Sequence, residues 1–258
     1  MAEMNSYYKW CMFFLSVIGL WPYSSKKFRL LQNGIVSLAS GLSVICQFLA
    51  YFTVERNLIR LLKLTSLISM TLITFTRYHF AWYQIDQMKE FLDQISFDWK
   101  INNDEILGIM QTHAFFGKRF VITFAVYFTV VAYVPVCIIV LYHISPIILD
   151  RVLPLNESRA VNLPVDVVLM FDREQHPVFT AFLLCLLLTV AESITVGAES
   201  FLIMLSWHIA GLFSIASYYF QKAVLQECAA SGFPRDCKDN KGASYITSGV
   251  IVHWKALQ

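Results

Sequence analysis

The sequence predicts an all-α protein, a polytopic membrane helix bundle with transmembrane helices at about 30–54, 58–80, 120–142 and 178–205. Three observations predict it. The 258 residues are 57% hydrophobic and only 15% charged, where soluble domains carry roughly 25% charge, and the mean hydropathy is +0.57. Residues 175–221 then run for 47 positions with two formal charges, Glu192 and Glu199. Two further uncharged runs, of 25 and 30 residues, fill 30–54 and 120–149. A water-facing helix keeps one polar face, and these runs do not. Crossing the hydrocarbon core takes about 20 mostly apolar residues, which they supply.

The elements follow in order. Residues 11–20 imitate the apolar core of a signal peptide, but no small-x-small cleavage site follows and ten residues cannot span. The better reading of 1–29 is a cytoplasmic, interfacial N-terminus with Tyr7, Tyr8, Trp10 and Trp21 at headgroup depth. The span at 30–54 is clear. The next is the weakest, because only the 13 residues 64–76 are free of charge; it reaches full length if Lys63 and Arg77 snorkel. Residues 77–119 are polar and mixed in charge, and read as helical extensions past the bilayer. The third span carries Pro135, a candidate kink. Pro146, Pro154, Pro164 and Pro177 make 143–177 an irregular loop, and 206–258 a helical extension and loop beyond the fourth span.

Orientation follows from the Lys and Arg bias toward the cytoplasmic side. With the N-terminus inside, the inner segments hold 14 such residues and the outer ones 6. Both termini are therefore expected in the cytoplasm, and 143–177 outside. Asn156, in the triplet Asn156-Glu157-Ser158, becomes a glycan acceptor on the outer side.

Several chemistries are excluded. The 20 Lys and Arg residues never cluster into a basic run, so no nucleic-acid partner is indicated. The six cysteines form no C-x-x-C pair and the six histidines never reach ligand spacing, so neither a metal nor another cofactor is expected. No nucleophile, base and orienting group assemble, and no enzyme is expected. Asp150-Arg151-Val152 imitates the Asp-Arg-Tyr signature of rhodopsin-like receptors, but it falls in the Pro-rich stretch on the predicted outer side.

The segment Ser206-Trp207-His208-Ile209-Ala210-Gly211-Leu212-Phe213 resembles the end of the fourth span in insect odorant receptors. There a His, a Gly and a Phe recur after an acidic residue, and Glu199, His208, Gly211 and Phe213 match them. Ala210 and Leu212 stand where many members carry Cys and Gln. Gly19-Leu20-Trp21-Pro22 is similar to the family's N-terminal Gly-Leu-Trp-Pro, and the stretch around His253 to the approach to its fifth span. The N-inside topology is also the family's.

The resemblance implies that 1–258 is one membrane domain, the N-terminal part of a seven-span odorant receptor subunit in the plasma membrane. It also implies a ligand-gated cation channel formed with a co-receptor subunit, and a small, volatile, apolar ligand. The pore helix would lie beyond Gln258, so the expectation for 1–258 is an incomplete subunit, non-conducting alone. Polar or soft residues within the spans are the candidate ligand contacts: Ser69, Met70 and Thr74 on the second, and Thr123, Tyr127 and Thr129 on the third. The same residues serve equally as helix-packing contacts. A small four-span transporter or a structural membrane protein unrelated to olfaction is the alternative.

At 100° per residue, Thr189, Glu192, Ser193, Val196, Glu199 and Ser200 share one side of the fourth span. That stripe should face other helices rather than lipid. Glu199 sits near the inner boundary and could be solvated. Glu192 lies about 10 Å deeper, where a carboxylate costs roughly 2.5–3.5 kcal/mol. It is the candidate floor of a ligand cavity.

The topology is testable by insertion into microsomes. Asn156 should accept glycan, whereas acceptor sites engineered between 86 and 105 should not. Glycan on 86–105 and none at sites placed in 150–165 would invert the orientation.

Overall fold

The computed structural model describes residues 2–53, 58–101, 103–153, 177–230 and 241–257. Among these every regular element is a helix: α1 (Ala2–Val17), α2 (Lys26–Thr53), α3 (Leu58–Tyr83), α4 (Ile85–Asp98), α5 (Asp104–Val152), α6 (Pro177–Ala230) and α7 (Lys241–Leu257). Hydrocarbon offers no water to backbone N–H and C=O groups, so a chain this apolar satisfies them within helices.

Among the described residues three helices are long and apolar enough to cross a membrane, over Lys26–Phe52, Asp104–Ile138 and Cys185–Gln226. They overlap the first, third and fourth predicted spans, the third starting earlier and the fourth running further than predicted. The remaining predicted span is present as the 26-residue α3. It is not one of the three, and its Arg60, Lys63, Arg77 and many Ser and Thr residues give the physical reason. Two expectations change. Helix α5 runs ten residues past Tyr142 to Val152, so 143–152 is helical rather than irregular and Pro146 and Asp150 lie within a helix. Pro177 opens α6, and 154–176, with Asn156, lie outside the described residues.

The chain packs as two compact units. One comprises 1–12, 89–123 and 200–258; the other comprises 13–88 and 124–199. In the second, α2 packs along α3. Gln47 donates through Nε2 to Thr71 Oγ1 at 2.9 Å, and Ser37 meets His79 Nε2 at 3.1 Å. Tyr78 is fully buried and its hydroxyl donates to the Ile18 carbonyl at 3.0 Å. Gly197 lets Ile18 approach so closely that a Cβ there would stand 2.5 Å from Ile18 Cδ1.

The Gly-Leu-Trp-Pro stretch ends α1. Gly19 has φ +77°, a left-handed conformation that costs an L residue about 1–2 kcal/mol. Its N–H bonds the Ser16 carbonyl at 3.3 Å and the Leu20 N–H bonds the Leu15 carbonyl at 2.9 Å. That pair, with Leu15 and Leu20 both fully buried, is a Schellman motif. Gln32 of α2 donates through Nε2 to Ser16 O at 2.9 Å, satisfying the helix end further. The first unit has its own cap: Asn103 Oδ1 accepts the N–H of Glu105 at 3.0 Å at the start of α5, where Asp104 and Glu105 also suit the helix dipole.

The expected headgroup position of the N-terminal aromatics is corrected in part. Trp10 is 42% exposed, but Tyr8 is buried and its hydroxyl accepts from Trp99 Nε1–H at 3.3 Å. Tyr7 stacks on Trp99 with ring centroids 5.5 Å apart. Burial pushes the Tyr8 hydroxyl and the Cys11 thiol each up to about 12. The inner face of α1 is protein-facing.

Gly19→Ala combines the conformational penalty with a Cβ 2.8 Å from Gln32 Cβ. It should lower stability by about 2 kcal/mol, read as a fall in thermal midpoint in detergent. Gly34→Ala, in α2 with nothing within 4 Å of its Cβ, should be neutral or stabilising by about 0.5 kcal/mol.

Candidate functional site

Two groups of polar side chains are built into the packing, one in each unit. In the second unit, Tyr133 of α5 donates its hydroxyl proton to Thr189 Oγ1 on α6 at 2.8 Å. Thr189 in turn donates to the Cys185 carbonyl at 2.7 Å. One turn further along α6, Glu192 is 8% exposed and interacts with Tyr133. Its Oε2 is buried with no hydrogen-bond partner. The stripe predicted on this helix faces inward only in part: Glu192, Val196 and Ser200 are buried and Ser193 and Glu199 half-buried, but Thr189 is exposed.

The other predicted ligand contacts do not gather around this cluster. Ser69 and Met70 are exposed on α3, Met70 at 66%. Tyr127, at 63%, and Thr129 are exposed on α5, as is Thr123. Thr74 is half-buried. Ser69 and Thr74 bond back to their own helix, at Thr65 O (2.8 Å) and Met70 O (3.0 Å). That back-bonding is how hydroxyls are satisfied where water is absent.

The residues of the motif serve as joints. Glu199 is not simply solvated, and Arg77 does more than snorkel: the two form an ion pair between α6 and α3. Gly211 admits α5, its Cβ position lying 3.3 Å from Met110 Sδ and 3.4 Å from His113 Cβ. Phe213 meets His253 of α7 edge-on at 5.4 Å. Trp21 packs against Tyr23 at 5.2 Å, and Pro22 is buried.

His208 belongs to the first unit's polar group. Its Nε2 lies 3.1 Å from Asp98 Oδ2, with the two side chains 4% and 2% exposed. Lys255 of α7 pairs with Asp98 Oδ1 and lies over the Phe97 ring at 5.3 Å. One carboxylate at the end of α4 thus holds groups from α6 and α7. With Nε2–H donating, His208 Nδ1 is left buried and unpartnered. Asp98 and Lys255 carried no sequence signal; they stand 157 residues apart, and Asp98 read as one of many charges in a polar connection. An open, mostly apolar groove of about 640 Å³ lies in the same unit, lined by Phe213, Phe220, Val224, Leu225 and His253 among others. None of the predicted ligand contacts borders it.

No protein-family model matches the chain, and no curated protein matches it in sequence. Among solved structures it is similar to the insect olfactory receptor OR5 from Machilis hrabei, with TM-score 0.52 at 12% identity. The likeness covers 99% of this chain and 64% of that one, so the chain spans just under two thirds of the receptor's length. At this identity it is the fold that is shared: a membrane protein with an olfactory-receptor-like helical arrangement.

Asp98→Ala would leave His208 and Lys255 facing a buried gap. Removing one partner of a buried charged group costs about 3–5 kcal/mol, so thermal midpoints by fluorescence-detected gel filtration should fall steeply. Asp98→Leu combined with Lys255→Leu should restore part of the loss. Equal midpoints for Asp98→Ala and the parent would remove Asp98 from the framework.

Proposed function

We propose that the chain is the N-terminal part of an odorant receptor subunit, a ligand-gated cation channel formed with a co-receptor subunit in the plasma membrane. The observation that carries this reading is the fold, shared over 99% of the chain with an insect olfactory receptor. The motif residues support it, since Gly19, Glu199, His208, Gly211 and Phe213 each occupy a helix end or a helix-to-helix contact. Charge bias favours a cytoplasmic N-terminus. A small volatile, apolar ligand would bind among the spans, and the sensing role is non-enzymatic. Of the proposed contacts, Thr74 and Glu192 are set into the packing; Ser69, Met70, Tyr127 and Thr129 stand on open helix faces that lipid or further helices would cover.

Ligand sensing requires saturable binding of small volatiles. The 258-residue chain in lipid nanodiscs should quench its own tryptophan fluorescence saturably with such ligands, at micromolar to millimolar concentrations. Signals that follow bulk partitioning into empty nanodiscs would overturn the proposal. Directional flux of a solute through proteoliposomes would support the transporter alternative instead.

A further inference from the structure

We propose that one face of the first unit, carried by α1, α5 and α6, binds the headgroup of an anionic phospholipid. Its centre is Lys118 and Arg119 of α5, the last charges before the 30 uncharged residues 120–149. On that helix they mark the depth at which hydrocarbon gives way to headgroups. Aromatic rings surround them. The Arg119 guanidinium lies over the Phe115 ring at 5.9 Å. Phe116 and Phe120 are exposed on the same helix and meet Trp207 of α6 at 5.7 and 5.9 Å between ring centroids. Gly117 seats Trp207 there, since a Cβ at that position would stand 3.0 Å from Trp207 Cβ. On the other flank, exposed Trp10 of α1 and Lys118 border one small hollow.

The charge on this face is unopposed. The ion pairs among the described residues leave both Lys118 and Arg119 out. Two acids of the unit are engaged elsewhere. Asp98 holds His208 and Lys255. Glu105, about 20 Å back along α5, holds Lys222 and accepts from Tyr218. Phosphate oxygens suit what remains: the planar fork of Arg119 takes two of them at once, and Lys118 adds a point charge. Phosphatidylcholine offsets its phosphate with its own ammonium group, whereas phosphatidylserine keeps a net negative charge. Each Lys or Arg near an anionic surface strengthens attachment roughly five-fold. A soluble phosphate would use the cations but leave Trp10, Phe116 and Phe120 bare. A lipid covers both, its chains lying against rings at headgroup level. Anionic lipids belong to the cytoplasmic leaflet, in agreement with the orientation that the charge bias favours. The inference needs only the membrane fold, and stands apart from the ligand of the receptor reading.

The test is native mass spectrometry of the full 258-residue chain in detergent, titrated with palmitoyl-oleoyl phosphatidylserine or the matching phosphatidylcholine. The parent should bind phosphatidylserine about ten-fold or more tightly than phosphatidylcholine. Lys118→Gln with Arg119→Gln should reduce that preference to about two-fold, while Lys118→Arg should keep it. Arg119→Gln alone, a change to an exposed side chain, serves should the pair misfold, and should weaken the preference several-fold. Lys26→Gln with Lys27→Gln, a charge-matched pair of exposed lysines at the start of α2, should leave it unchanged. Glycerophosphoserine, the headgroup without its chains, should not displace the lipid. No preference in the parent overturns the proposal and points to a protein partner for this face. Equal loss in the two double variants overturns it in favour of attraction spread over the whole surface. Displacement by glycerophosphoserine at equal concentration overturns it in favour of a soluble phosphate.

Discussion

A backbone or side-chain polar group placed in hydrocarbon without a partner costs several kcal/mol, and the arrangement of this protein follows from that penalty. Every regular element of its main chain among the described residues is a helix. Its hydroxyls fold back on their own helices, as Thr65, Ser69, Thr71, Thr74 and Ser193 do within 3.0 Å. Its larger polar side chains meet across helices: Gln47 with Thr71, Ser37 with His79, Arg77 with Glu199, Asp98 with His208.

The charged residues split by burial and by consequence. Asp98 and His208 are almost fully enclosed, so desolvation is set against mutual attraction, and the pair fixes geometry more than it adds stability. Arg77 and Glu199 are more open, at 55% and 25% side-chain exposure, and such a pair contributes little energy. Its effect is to define register between α3 and α6. The same division explains the glycines. Gly19, Gly117, Gly197, Gly211 and Gly249 stand where a Cβ would meet another side chain closely, whereas Gly34 and Gly41 do not.

Length and apolarity were enough to read the helical class and the places of the long helices, because hydrocarbon imposes both on the sequence directly. The stripe on α6 was legible in part: periodicity placed Glu192, Val196 and Ser200 on one buried side, whereas Thr189, on the same side, is exposed. What stayed hidden depended on distant partners. Nothing local marks Asp98 as the partner of His208 and Lys255, or Arg77 as the partner of Glu199. The proline count misread 143–152, because a helix with neighbours can absorb Pro146. The resemblance flagged Gly19 and His208, and their physical reasons, a helix stop and a buried carboxylate contact, came only with the fold.

Cys11 has a consequence for how this chain would age in a cell. The thiol is 2% exposed, and burial raises it to about 12, far from thiolate formation at neutral pH. Oxidants and alkylating agents act on the thiolate, so a folded molecule hides this sulfur from them. Only molecules in which α1 has come away would react, and they would do so irreversibly once oxidation passes the sulfenic stage. A damaged Cys11 is then a lasting record of a transient opening. A sulfinate or sulfonate is larger and charged, and does not fit the buried place of the Cys11 thiol, so α1 could not reseat as before.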